Sequence, residues 1–220
     1  MRFELAAERL TAMRHPLPGP REAVIPVVVG GVLPRTRPIA ATGRPARSAA
    51  VLVLLYPDAA GEARLVLIER TAADGRHHSG EVSFPGGKAE PEDADLTATA
   101  LREATEEVGL DPAAAGVRVV GRLDQFWIPV SDFEITPVVA LAERVPVLAA
   151  APAEVARIVE PSLDRFLPDV PMAMVERTIG TWPLRYGHYE IDGLSVWGAT
   201  ASILSQLGAV VMGPEHVPTR

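Results

Sequence analysis

The sequence predicts an α/β or α+β domain with a mixed sheet. Three observations predict it. Short apolar runs of strand length recur from residue 49 onward, as in "AAVLVLLYP" and "ARLVLIERT". Helical stretches interrupt them, notably "DLTATALREATEEVGL" and "GATASILSQLGAVVM". Strands and helices alternate instead of forming separate blocks, which argues against all-α and all-β classes.

The elements follow in chain order. Residues 3–13 read as an amphipathic helix, with Phe3, Ala6, Leu10 and Met13 on one stripe. Residues 15–46 are rich in Pro, Gly and Arg and read as an irregular arm, with one short strand at 23–29. The first two apolar runs, separated by the turn-like "DAAGE", read as neighbouring strands. A Pro-Gly-Gly turn at 85–87 precedes the first long helix. "VRVVGRLDQFWIP" and "FEITPVVALAE" each read as a strand, and "APAEVARIVEPSLDRFL" as a loop, a strand and a helix start. "TWPLRYGHYEIDGLSVWG" reads as a hairpin turning at Asp192 and Gly193. The expected division is an N-terminal helix and arm over 1–48 and the main domain over 49–220.

Composition narrows the function. The chain has 220 residues, 48% of them apolar, enough for a real core. A net charge of -7 argues against nucleic acid or a membrane surface as the main partner. With no cysteine, thiolate metal sites and disulfides are excluded, and any metal must sit on oxygen or imidazole. No apolar run reaches the roughly 18 residues that span a bilayer. Glu4 and Glu8 break up any signal-like apolar stretch at the start, so the expected location is cytoplasmic. The expected partner is a small-molecule substrate. A homodimer is compatible with the sequence, which does not fix the oligomeric state.

The most informative stretch is "FPGGKAEPEDADLTATALREATEEVGL", residues 84–110. Asp93 or Asp95 can cap a helix starting near Leu96, and Gly109 is a natural residue to end it. At about 100° per residue, Leu101, Ala104 and Val108 share an apolar face, and Glu103, Glu106 and Glu107 share another roughly 140° away. The expectation is that the acidic face stays open to solvent. Carboxylates at i, i+3 and i+4 repel by a few tenths of a kcal/mol per pair. They also stand near the helix C-terminus, where the dipole disfavours anions. A divalent cation such as Mg²⁺ or Mn²⁺ reverses that balance. An ordinary solvated face with an Arg102–Glu106 pair is the plainer alternative.

In this context the segment resembles the Nudix box, G-x5-E-x7-R-E-U-x-E-E-x-G-U, with U bulky and aliphatic. Arg102, Glu103, Glu106, Glu107, Gly109 and Leu110 match its second half, and Gly87 opens the first. The spacing from Gly87 to Arg102 is one residue longer than the pattern. Ala94, flanked by Asp93 and Asp95, stands eight residues before Arg102, and Ala104 fills the U after Glu103. Upstream, "VLIERTAADGRHHSGEVSFPGG" resembles the signature that precedes the box in the coenzyme A pyrophosphatase branch, through Arg70, Arg76, Gly80 and residues 84–87. The downstream "YEIDGLSVWGATASIL" is similar to the end of that branch.

The resemblance implies a Nudix fold, a mixed sheet sandwiched between helices, and metal-dependent hydrolysis of a diphosphate linkage. It implies Mg²⁺ or Mn²⁺ held by Glu103, Glu106, Glu107 and the Gly87 carbonyl. Glu103, Glu106 and Arg102 would be catalytic, and Glu154 is the loop candidate for general base, ahead of Asp132 and Glu134. Arg70, Arg76 and Lys88 flank the acidic cluster and are expected to bind substrate phosphates. His77 and His78 are further candidates for that role. Trp127 and Tyr186 are candidates to line a pocket, whereas Phe84 and Trp197 read as core.

Overall fold

A computed structural model of the chain describes residues 1–31, 45–71, 80–129, 131–179 and 182–213. Arg76, His77 and His78 therefore lie outside the described residues, as do residues 32–44 of the predicted arm.

The elements, in order, are α1 (Phe3–Thr11), a 3-10 turn (Glu22–Val24), β1 (Val27–Val28), β2 (Arg47–Pro57), β3 (Ala63–Leu65), β4 (Leu67–Arg70), β5 (Val82–Ser83) and β6 (Gly86–Lys88). Then come α2 (Leu96–Val108), α3 (Pro112–Ala115), β7 (Val117–Arg122), β8 (Phe126–Ile128), β9 (Phe133–Ala142) and β10 (Val155–Val159). A second 3-10 turn (Leu163–Phe166), β11 (Ala173–Ile179), β12 (Trp182–Ile191), β13 (Leu194–Val196) and α4 (Gly198–Met212) complete the chain.

The central sheet runs β3-β2-β9-β7, with β6 beside β2 and β8 beside β9. β2 and β9 pair in parallel, Leu52 opposite Val138, while their other neighbours are antiparallel, so the sheet is mixed. Alternation along β2 decides the layers, because successive side chains point to opposite faces. Ala50, Leu52 and Leu54 pack with Ala100, Ala104 and Val108 of α2. Val53 and Leu55 pack in the other cluster, with Ala6 and Leu10 of α1 and Leu204, Leu207 and Val211 of α4. The sheet is thus sandwiched between helices, as expected. Each wholly buried leucine contributes about 1.5–3 kcal/mol by leaving water.

The N-terminal helix is part of this core: Ala6 and Leu10 are fully buried. Residues that follow it are tied down as well. Gln206 of α4 accepts from the Asp124 N–H (3.2 Å) and donates to Asp124 Oδ2 (2.7 Å) and the Pro18 carbonyl (3.1 Å). The expected strand at 23–29 shrinks to β1, which pairs with β12 behind the 3-10 turn.

Other expectations need correction. The run "ARLVLIERT" divides at Val66. β3 stays on β2, while β4 leaves for a separate sheet ordered β10-β4-β5. "VRVVGRLDQFWIP" likewise splits into β7 and β8, both on β9. The Pro-Gly-Gly segment is no free turn: Gly86–Lys88 is a strand paired with residues 49–51 of β2. Neither α3 nor β11 was anticipated. The hairpin at Asp192 and Gly193 forms as read, with Ile191 opposite Leu194. No described helix is long and apolar enough to cross a membrane.

Candidate active site

α2 carries the site, and its ends are fixed as the sequence indicates. The Asp95 carboxylate accepts from the Ala98 N–H at 2.8 Å, an N-cap worth about 1 kcal/mol. Gly109 closes the helix at φ 64°, a left-handed conformation that glycine adopts without strain. Beyond it, the N–H groups of Ala149 and Ala151 bind the carbonyls of Val108 and Glu107, both at 2.9 Å. That loop leads directly to Glu154 and β10.

The acidic face is not open along its length, which corrects the helical-wheel expectation. Glu107 is only 2% exposed. α2 touches β2, β6, β9 and β10, and the loop before β10 binds the Glu107 and Val108 carbonyls. The Glu107 carboxylate accepts from the Gly86 N–H at 2.8 Å and pairs with Arg70 Nη1 at 3.1 Å. Burial pushes its pKa up to about 7, opposed by the Gly86 N–H and the Arg70 charge and reinforced by Glu103 and Glu154. The Glu103 side chain is 16% exposed and Glu106 58%. Burial also raises the Glu103 pKa; Arg102 works against this, and the negative charges of Glu106 and Glu154 add to it.

Arg102 gathers the rest. Its Nε and Nη2 donate to Asp93 at 2.9 and 3.1 Å, its Nη1 reaches Glu103 at 3.0 Å and Glu106 at 3.1 Å, and Nη2 also binds the Lys88 carbonyl at 3.1 Å. The guanidinium holds the Asp93 carboxyl well below the usual carboxylate range, with help from the Glu90 N–H and Thr99 hydroxyl. Asp93 therefore supplies the acidic partner of Arg102 that the displaced box pattern left unassigned. Sequence reading had the signal, an aspartate adjoining Ala94, but not the choice between Asp93 and Asp95.

Gly87 lies directly against Glu103: a Cβ built there would stand 2.5 Å from Oε1. Only a glycine lets the backbone of β6 come this close to the carboxylate. The β6 backbone thus lies beside the Glu103 carboxylate, with Glu107 one turn on, and carboxylate oxygens are hard donors of the kind that suit Mg²⁺ or Mn²⁺. Among the described residues, no three acidic or imidazole side chains converge as a finished ligand set. Glu103 and Glu106 are turned to Arg102, and Glu107 to Arg70.

The other expected residues fall as follows. Glu154 stands immediately before β10, its charge felt at both Glu103 and Glu107, and its carbonyl accepts from the Thr71 N–H at 2.9 Å. Lys88 is exposed and 3.6 Å from Glu90. Asp132 accepts from Trp127 Nε1 at 2.9 Å, and Glu134 lies in β9 opposite Trp127. Tyr186 is no pocket wall: it is 2% exposed and stacks on the half-buried Trp197, ring centroids 4.9 Å apart. Phe84 is buried, as read.

A capped acidic helix lying on a mixed sheet, with a glycine strand against its first carboxylate, is the arrangement of a phosphoanhydride hydrolase of the Nudix type. The NUDIX domain family model matches residues 46–166, and the chain belongs to that family. It is 36% identical over 170 residues to "Nudix hydrolase 15, mitochondrial" of Arabidopsis thaliana, covering 74% of this chain and 58% of that protein. It is 37% identical over 167 residues to "Uncharacterized Nudix hydrolase NudL" of Pectobacterium atrosepticum, covering 73% of this chain and 81% of that one. Among solved structures, a Nudix hydrolase from M. smegmatis, RenU, shares the fold at a TM-score of 0.52 and 19% identity, covering 80% of this chain and 92% of its own. Nudix hydrolases cleave phosphorus-containing acid anhydrides and generally need a divalent metal ion.

Proposed function

We propose that the chain hydrolyses the diphosphate linkage of coenzyme A or its acyl or oxidised derivatives, giving 3′,5′-ADP and 4′-phosphopantetheine or its acylated form. The observation that carries the hydrolytic part is the close approach of Gly87 to Glu103, beside a buried Glu107. The substrate part is supported by the signature ahead of the box, to which Arg70 and Gly80 belong.

Glu103, Glu106, Glu107 and the Gly87 carbonyl would hold Mg²⁺ or Mn²⁺. When bound, the ion neutralises charge on the diphosphate oxygens and acidifies an attacking water. The chain's own residues do the rest. Arg102 fixes the rotamers of Glu103 and Glu106 from its anchor on Asp93. Burial of Glu107 keeps bulk water from one side of the site. Glu154 takes the proton of the attacking water, its negative potential already felt by Glu103 and Glu107. Lys88 and Arg76 receive substrate phosphates. A cytoplasmic location belongs to the same proposal.

The test is turnover on a panel of coenzyme A, acetyl-coenzyme A, ADP-ribose, dinucleotides and nucleoside triphosphates, each with Mg²⁺ and Mn²⁺, with products identified by mass. Coenzyme A compounds should rank first by kcat/KM. If ADP-ribose or a dinucleotide leads, the substrate assignment fails while the hydrolase assignment stands. If Glu103→Gln hydrolyses the best substrate at the wild-type rate, the assigned chemistry fails for every substrate.

A further inference from the structure

We propose that Arg70 is the resident counter-ion of the metal site, occupying Glu107 in the metal-free protein and giving that carboxylate up to the divalent cation. The inference rests on the functional reading above. It gives Arg70 a role in the metal-free protein beyond the phosphate contact its sequence position suggests.

The geometry carries it. Glu107 is buried, and a buried carboxylate without compensation is costly. It has two compensating partners: the Gly86 N–H on Oε2 and Arg70 Nη1 on Oε1. The first is backbone, held in the β6–β2 ladder, and stays in place whatever binds. The second is a side chain about one-third exposed, on a strand that ends at the site. Its backbone is fixed: the Arg70 N–H binds the Glu81 carbonyl at 3.0 Å, and Arg70 pairs with Val155, next to Glu154. Only the guanidinium is free to move.

A cation arriving on Glu107 meets a positive charge a few ångströms away, and the two repel. The guanidinium makes one hydrogen bond to Glu107 and keeps other donors, so on displacement it can turn to an anionic substrate. Arg70 thus competes with the metal but favours a metal-bound site that also holds a diphosphate.

The experiment compares wild type, Arg70→Met and Arg70→Lys, with Mn²⁺ alone as the probe, at about pH 9, where carboxylates are ionised. In Arg70→Met the metal-free melting temperature should fall. Mn²⁺ affinity by calorimetry should tighten about fivefold or more, and saturating Mn²⁺ should raise the melting temperature by more than in wild type. Arg70→Lys should recover part of the metal-free stability. In a Glu107→Gln background, Arg70→Met should cost no further stability, which keeps the test decisive if the single variant folds poorly. Unchanged metal-free stability and unchanged Mn²⁺ affinity in Arg70→Met, with only KM raised, would overturn the proposal and return Arg70 to the substrate. If wild type itself takes up no Mn²⁺, it is the functional reading that fails.

Discussion

Gly87→Ala offers the sharpest test of the site. The added Cβ would lie 2.5 Å from Glu103 Oε1, 2.6 Å from Cδ and 2.7 Å from Oε2. Comfortable carbon contacts begin near 3.5 Å, so the carboxylate must retreat by about 1 Å. The obstructing atoms are the end of a flexible side chain, and Gly87 has no positive φ, so the fold should absorb the change. We expect stability within about 1 kcal/mol of wild type, or about 2–4 °C in melting temperature. Catalysis should respond differently. A displacement of 1 Å in a group that fixes reacting atoms costs about 100-fold. The assay is steady-state hydrolysis of the best substrate from the panel at saturating metal, beside thermal melting. A variant that melts like wild type and retains more than half its kcat would refute the claim that Glu103 works from the position Gly87 makes available.

Three further outcomes follow from the same structure. Leu10→Ala should lose about 2–5 kcal/mol in urea unfolding, because Leu10 is wholly buried between α1 and α4; a loss under about 1 kcal/mol would show that the N-terminal helix does not share the core. Glu154→Gln should lower kcat by about 100- to 10,000-fold with unfolding unchanged; a kcat within about threefold of wild type would place the base elsewhere. Asp93 titrates below the ordinary carboxylate range in the folded state, so its contribution to stability is present above about pH 4 and is lost as the pH falls below it. Asp93→Asn should be less stable than wild type at neutral pH and lose less on acidification, and parallel stability curves would contradict the Arg102–Asp93 anchor.

Much of the fold and part of the site were legible in the sequence. The caps at Asp95 and Gly109, the periodicity of α2 and the alternation of β2 are local features, and local rules read them correctly. What failed to show is what distant chain segments do. Glu107 looked solvent-facing because nothing near it indicates that Gly86 and Arg70, some twenty and forty residues earlier, close on its carboxylate. The split of β3 from β4 at Val66 depends on β10 and β5 competing for the second half of the run. The contact between Arg70 and Glu107 was hidden because the two residues stand 37 positions apart. Asp93 was ambiguous with Asp95 until the guanidinium of Arg102 was seen to choose between them.

The two backbone hydrogen bonds that join Ala149 and Ala151 to the last turn of α2 have a consequence for how this region evolves and can be engineered. They clamp the stretch leading to Glu154 onto the same turn that displays Glu107, so the backbone spacing between the two residues is set by the fold itself. Lengthening the chain before Leu148, where Val145 and Val147 already face water, should be harmless, whereas a single residue inserted between Ala151 and Glu154 would knock the two acids out of register.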